Sequence, residues 1–188
     1  MNELKSFITY YCQLNKEELD YVVGKFAQKV IRKGRHILKE GRICSLLVYT
    51  VKGNFRIYYK DNQDKEITTW LTFDDMLATE LASFIIQQPT KFNVQAINDS
   101  TIATISYADL QQLYINIPKF QEFGRKIAEE VVVGAINRVV AFQHETADER
   151  YQKLLSKSEY IQKIPLKYIA SFLGITDTSL SRIRRPKR

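Results

Sequence analysis

Apolar residues recur along the chain in three rhythms. Over residues 1–28 the spacing is helical: Leu19, Val22, Val23 and Phe26 form one stripe, and Asn15 with Glu18 three positions later makes a capping pair ahead of it. From Val30 the rhythm shifts to short segments rich in branched and aromatic residues, at 36–38, 46–51, 55–59, 66–71, 92–97 and 101–106. Gly34, Gly41, Gly53 and the run from Asp61 to Asp64 punctuate these segments as turns. Regularly spaced short strands predict a rolled, barrel-like antiparallel sheet. Residues 74–91 break the alternation with a helical pattern around Leu81 to Ile85. Such an insert either holds a ligand or caps the barrel, and the acidic pair Asp74-Asp75 at its start reads as turn chemistry.

After Pro118, which suits a helix start, the period becomes helical for more than six turns. Phe120, Phe123, Ile127, Val131, Ala135, Val139 and Phe142 form one stripe, and Ala128, Val132, Ile136 and Val140 a neighbouring one. One stripe can pack on the sheet. The second is covered either by its own domain or by a parallel copy of the same helix, a two-stranded coiled coil through residues 120–142. Beyond Glu145 the polar residues Asp148, Glu149 and Arg150 read as a hinge, and Tyr151, Leu154, Leu155 and Ile161 supply core to a small C-terminal domain.

The run from Pro165 to Arg185 reads as two short helices joined by a tight turn. Ile169, Leu173, Ile175, Leu180 and Ile183 give each helix one buried face, and Ala170 lies where the helices would cross. Gly174 occupies the turn, where positive φ is needed. Thr176 is placed as an N-cap, with Asp177 favourable at the positive helix end. Thr178, Ser181, Arg182 and Arg185 then project outward, with no large apolar residue among them. This is a helix-turn-helix pattern.

Charge separates this run from a merely solvated surface. Residues 150–188 hold ten Lys or Arg against Glu159 and Asp177, whereas residues 1–149 hold eighteen against nineteen acidic residues. The whole excess of +7 sits in the tail, the footprint of a module that neutralises phosphates and releases their counterions. Composition adds only bounds. At 188 residues and 45% apolar the chain can hold one sizeable core and a small second domain. Cys12 and Cys44 lack a close partner and read as reduced thiols, so no metal site is spelled out. The start carries no secretion signal, and no apolar run reaches membrane-spanning length, which together predict a cytoplasmic protein.

In this order, a β-rich domain, a long helix and a basic helix-turn-helix, the chain resembles the cyclic AMP receptor protein and Fnr family of transcription regulators. The resemblance rests on Lys33-Gly34, Glu40-Gly41 and Val51-Lys52-Gly53, on Glu80-Leu81 in the insert, on Val94-Gln95-Ala96, and on Ile169-Ala170 through Gly174 to Arg182. The closing run YIASFLGITDTSLSRIRR is similar to short-tailed members from Bacteroides-type bacteria. The resemblance implies an α+β fold: a cyclic-nucleotide-binding-like β-roll (a jelly roll) with N-terminal helices over 1–117, a dimerisation helix over 118–146 and a helix-turn-helix, winged-helix-like DNA-binding domain over 147–188. Three residues follow Arg185, so no wing is expected. It also implies a homodimer on double-stranded DNA in the nucleoid, with RNA polymerase as a further partner.

The family's base-reading positions fall on Asp177, Thr178 and Arg182. A guanidinium at Arg182 can give two hydrogen bonds to guanine O6 and N7; Thr178 offers a single contact, and Asp177 either accepts from a cytosine amino group or only strengthens the helix start. Lys167, Thr176 and Ser179 resemble phosphate contacts, while Arg184, Arg185, Lys187 and Arg188 add attraction without sequence preference. The effector positions fall on Glu80, Leu81, Thr90 and Lys91. Thr79 replaces the family's glycine and Thr90 its phosphate-binding arginine, so cyclic AMP is not the expected ligand, and an unidentified small molecule or no effector remains. His36 and His144 stand alone, which argues against haem. A different class of reading makes the chain a small-molecule sensor acting through protein contacts, with only loose nucleic-acid binding. An enzyme is the least supported reading, since no nucleophile–base motif or phosphate loop is present.

Overall fold

The computed structural model describes residues 1–155, 161 and 163–185. Two helices open the chain. In α1 (Asn2–Tyr11) Leu4 and Ile8, one turn apart, are fully buried. Helix α2 (Lys16–Gly24) starts on the expected capping box: the Asn15 side chain accepts from the Glu18 amide, and the Glu18 carboxylate accepts from the Asn15 amide.

Seven strands come next: β1 (Ala27–Ile31), β2 (His36–Leu38), β3 (Leu46–Lys52), β4 (Phe55–Lys60), β5 (Glu66–Thr72), β6 (Asn93–Ala96) and β7 (Ser100–Ser106). They form two antiparallel sheets, β1-β7-β3 and β2-β6-β4-β5. Six of the seven match segments read from the pattern. Strand β1 was missed: four of its five residues are exposed, so no alternation marks it. Tyr49, Phe55, Val94, Ile102 and Ile105 belong to the main core. Gly34, Gly41 and Gly53 all take positive φ, as their turn placement requires. Asp74 accepts from the Gly53 amide at 2.6 Å and Asp75 from the Tyr49 hydroxyl at 2.5 Å, which is the turn chemistry expected of that pair.

Helix α3 (Leu81–Ile86) lies in the insert. Helix α4 (Tyr107–Asn116) corrects the sequence reading, which ran no helix between the last strand and Pro118; it is capped by Ser106 and buries Leu110 and Leu113. Pro118–Phe120 form a single 3-10 turn, and the long helix α5 runs Gln121–His144. Its first turns join the core, where the Phe120 and Phe123 rings stack at 4.9 Å. The stripe expected to pack on the sheet does so only as far as Ile127: Val131, Val139 and Phe142 are exposed, as are Val132, Ile136 and Val140 of the neighbouring stripe, because the helix runs on past the roll.

The expected hinge is a two-residue step, Glu145-Thr146, into helix α6 (Ala147–Leu155), with Thr146 and Glu149 forming a second capping box. Tyr151, Leu154 and Ile161 are buried as expected, whereas Leu155 is 40% exposed, because it falls off the inward stripe of a short amphipathic helix. The last two helices are α7 (Leu166–Leu173) and α8 (Asp177–Ile183). No helix among the described residues is long and apolar enough to cross a membrane.

Gly53 packs directly on β7, with φ +124 and the position of a Cβ only 2.8 Å from the Ser100 Cα. Gly53→Ala is expected to cost about 1–3 kcal/mol in urea unfolding, from strained backbone and overlap with β7. An unchanged unfolding midpoint would remove this turn from the account of stability.

Candidate nucleic-acid interface

The two C-terminal helices fold as the local chemistry dictates. Gly174 ends α7 in the left-handed conformation, φ +71, and the Ile175 amide returns to the Ala170 carbonyl at 3.0 Å. The Thr176 hydroxyl accepts from the Ser179 amide at 3.2 Å and starts α8. Ile169, Ala170, Leu173 and Leu180 are buried where the helices meet. All four lie at expected positions, and Ile175 and Ile183 are half-buried at the edge of the same cluster.

Thr178, Ser181, Arg182 and Arg185 are exposed on α8 and just past its end, with Asp177 and Arg184 beside them. The Arg182 guanidinium has only a 3.5 Å contact with the Ser179 hydroxyl and no ion pair among the described residues. Thr176 also contacts the Thr178 and Ser179 hydroxyls at 2.9 and 3.0 Å, so its oxygen is engaged within the helix start, and Ser179 is half-buried. Lys167 is exposed at the start of α7, with its ammonium 5.1 Å from the Tyr168 ring centre. Arg184 and Arg185 line a depression of about 430 Å³ with Asp148, Tyr151, Gln152, Leu155 and Ile183. Lys187 and Arg188 lie outside the described residues.

Sequence reasoning missed what lies beneath this face. Helix α7 packs on β5, one of the two edge strands of the four-stranded sheet. In register with β4, Ile57 pairs with Trp70 and Tyr58 with Thr68, so Thr69 is an extra residue. The bulge puts Leu71 and Thr68 on one face of the sheet, the face of Arg56 and Tyr58. Leu71 and Ile97 enter the apolar cluster of the helix-turn-helix. The Thr68 amide donates to the Ser171 hydroxyl at 2.8 Å, and that hydroxyl donates to the Glu66 carbonyl at 3.3 Å, satisfying groups an edge strand leaves open.

Arg56 is the cation at this contact. Its guanidinium lies 3.9 Å from the ring centres of both Tyr58 and Tyr168, pairs with Glu66 at 2.6 Å and donates to Gln95. Its side chain is 3% exposed and that of Glu66 40%, so water screens only one end of the pair. A single arginine in a strand of alternating residues carries no sequence signal; its partners come from four separate elements. His36 shares the site, its ring nitrogen 3.0 Å from the Tyr58 hydroxyl, and burial, with Lys39 and Arg56 nearby, holds its pKa below the ordinary value.

The residues placed in the effector insert are engaged by the fold itself. Glu80 is buried and its carboxylate caps α3, accepting from the Ser83 amide at 3.1 Å. Thr79, also buried, accepts from the Val48 amide at 2.8 Å. The buried Thr90 accepts from the Phe92 amide at 3.0 Å, while its backbone bonds to Gly41 and Arg42. Leu81 is half-buried; Lys91 is exposed, its ammonium 5.5 Å from the Tyr59 ring centre and 5.6 Å from that of Phe92. No ion pair joins Lys91 to Glu80 among the described residues. Both cysteines are free and buried, and burial pushes the Cys44 thiol up to about 11.

Residues 28–116 match the model of the cyclic nucleotide-binding domain family. A comparison with curated proteins by sequence finds no match. Among solved structures, FixK2 from Bradyrhizobium japonicum is similar with a TM-score of 0.73 at 14% identity, over 84% of this chain and 82% of that one. The c-di-GMP responsive global regulator CLP of Xanthomonas campestris gives 0.68 at 14% identity, over 90% and 89%. The catabolite activator protein of Thermus thermophilus gives 0.59 at 16% identity, over 94% and 84%. The likeness to Crp/Fnr-type transcription regulators read from the sequence therefore holds at the level of the fold.

Removing the Ser171 hydroxyl isolates the contact between sheet and helix. Ser171→Ala is expected to cost about 1 kcal/mol and to raise the exchange rate of the Thr68 amide about tenfold. Unchanged exchange at Thr68 would mean that α7 does not protect this edge in solution.

Proposed function

We propose that the chain is a homodimeric, sequence-specific DNA-binding regulator of transcription, whose roll does not take cyclic AMP. The observation that carries this reading is the outer face of α8: Thr178, Ser181, Arg182 and Arg185 exposed, without a large apolar side chain, at the basic end of an otherwise neutral chain. Arg182 reads a guanine edge, Thr178 makes one neighbouring contact, and Asp177 stabilises the helix start. Lys167, Thr176 and Ser179 hold phosphates, and Arg184 and Arg185 add unspecific attraction. The domains divide as 1–117, 118–146 and 147–188, with RNA polymerase the further partner and the nucleoid the location this activity implies.

Dimerisation is supported by α5. Val132, Ile136, Val139 and Val140, the last three at steps of three and four, are 47–57% exposed, and a parallel copy of the helix would bury them. Two recognition helices about 34 Å apart then meet successive major grooves on one side of a duplex. Against cyclic AMP stands the chemistry of the insert. Thr90 presents a hydroxyl where a phosphate needs a cation, Lys91 points its charge at two aromatic rings, and Glu80 is spent on α3. A phosphate buried there without a paired cation is costly.

A cavity of about 570 Å³ between α3, α4 and α5, lined by Phe84, Ile85, Tyr107, Tyr114, Ile115 and Ala128 among others, favours the second reading, a sensor of small apolar molecules. Selection from random duplexes separates the two: an enriched two-fold motif supports the regulator, and no enrichment supports the sensor.

On the selected site Arg182→Ala is expected to lose about 1–3 kcal/mol and to relax preference at one base position, whereas Lys167→Ala weakens all sequences alike and flattens the salt dependence by about one unit. Equal losses on every sequence for Arg182→Ala would withdraw its base-reading role. Calorimetric titration with cyclic AMP or cyclic GMP is expected to give no heat at ligand concentrations up to about 1 mM; binding at about 1 μM would reverse that part of the reading.

A further inference from the structure

Two arginines meet at the end of the long helix, and neither serves the functions assigned so far. Arg138 on α5 donates from Nη2 to the Phe172 carbonyl at 2.8 Å, and Arg150 on α6 donates from Nη2 to the Leu173 carbonyl at 3.1 Å. These are the last two residues of α7. Arg150 also donates from Nη1 to the Glu145 carbonyl at 2.5 Å, where α5 stops. No carboxylate pairs with either guanidinium among the described residues. What offsets their charge is the negative end of α7, whose final carbonyls have no helical donors of their own.

The Phe142 ring joins both cations. Arg138 lies 4.9 Å and Arg150 4.6 Å from its centre, and Arg138 lies a further 3.9 Å from the centre of the Phe172 ring. The other wall of this socket is the turn of the helix-turn-helix: a Cβ on Gly174 would come within 2.8 Å of Phe142 Cε1. Gly174 therefore serves twice, for its left-handed backbone and for the room it leaves the ring. Burial, and secondarily the neighbouring Arg150 charge, lowers the Arg138 pKa to about 10. Holding two like charges this close is costly unless donors are used; Arg138 Nη2 and Arg150 Nη1 and Nη2 are, while the buried Arg150 Nε has no partner among the described residues.

We infer that Arg138 and Arg150, with Phe142 between them, are positioning residues that fix the angle between the long helix and the DNA-reading helices, and so set the half-site spacing the dimer accepts. The spacing part rests on the proposed DNA-binding function; the angle does not. The guanidinium planes hold α7 by its end, α8 follows α7 through the three-residue turn, and α5 carries the pair along the dimer axis. Lysine keeps the charge of either arginine but neither its fork of donors nor its flat stacking surface. Arg138→Lys is thus the variant that separates charge from geometry.

The test uses the full chain. Nitroxides placed by Glu129→Cys on α5 and Ser181→Cys on α8 report the angle within one chain when diluted with excess unlabelled protein; both sites are exposed, and the native cysteines are buried. The wild type is expected to give one narrow distance, and Arg138→Met a distribution at least about twice as broad. On duplexes whose half-sites are moved by single base pairs, the wild type is expected to favour one spacing about tenfold, Arg138→Met less than about threefold, with binding to a single half-site within about twofold. Arg138→Lys should resemble Arg138→Met in both measurements. If Arg138→Met does not fold, Arg150→Met takes its place, since it removes the bonds to the Glu145 and Leu173 carbonyls and leaves the Arg138 stack. A narrow distance retained in the folded variant overturns the inference. A wild type that favours no duplex overturns the DNA reading instead, and the nitroxide distance still judges the socket.

Discussion

The constraint on which the rest depends is the small size of the C-terminal helix pair. Two helices of eight and seven residues cannot bury enough apolar surface to hold themselves together. Their cluster closes only because α6 lends Tyr151 and Leu154 and the roll lends Leu71 and Ile97. The borrowing decides much else. It explains why β5 carries a bulge, which brings Leu71 and Thr68 to one face. It also explains why an arginine is buried in β4 between tyrosines from both parties, and why Ser171 occupies an edge that would otherwise offer open backbone groups to another strand.

Helix α7 is consequently held on two sides by unlike chemistry. Toward the roll the contact mixes apolar burial, backbone hydrogen bonds and one stacked cation. Toward the long helix it is made of carbonyls, guanidinium groups and two phenylalanine rings. Apolar contacts tolerate sliding, whereas paired hydrogen bonds to consecutive carbonyls do not. Helix α7, and α8 behind it, is thus registered more sharply against α5 than against the sheet. In the dimer proposed above, any error at this contact would be doubled between the two copies of α8.

Much of this architecture was legible from residues alone, where the signal was local. The box at Asn15 and Glu18, the glycines of the turns and the cap at Thr176 each depend on spacings of a few residues, and each appears where the chemistry puts it. The strand β1 and helix α4 were not legible. The former exposes most of its side chains on an edge, and the latter is a short helix whose cap at Ser106 is also the end of a strand. Leu155 was assigned to the core from hydrophobicity alone, without regard to its angle on α6. The pairs that organise the C-terminal helices were hidden for a different reason. Arg56 with Tyr168, and Arg138 with Phe172, join positions 112 and 34 residues apart, and nothing in either neighbourhood marks the partner. Thr90 and Lys91 could be aligned with a phosphate site from sequence; only the fold shows that the hydroxyl serves its own turn and the ammonium faces rings.

The shared cluster around Leu71 and Ile97 also bears on how such chains diversify. A helix-turn-helix that closed on itself could be exchanged between proteins by recombination at the helix that precedes it. This one could not: transplanted behind another roll, it would arrive with an uncovered apolar face and a serine lacking its strand. The roll, for its part, would be left with an arginine stacked on one ring and open to water on the other side. Sheet face and helix pair must therefore change together, so that the outer face of α8 is free to vary while the inner faces stay matched.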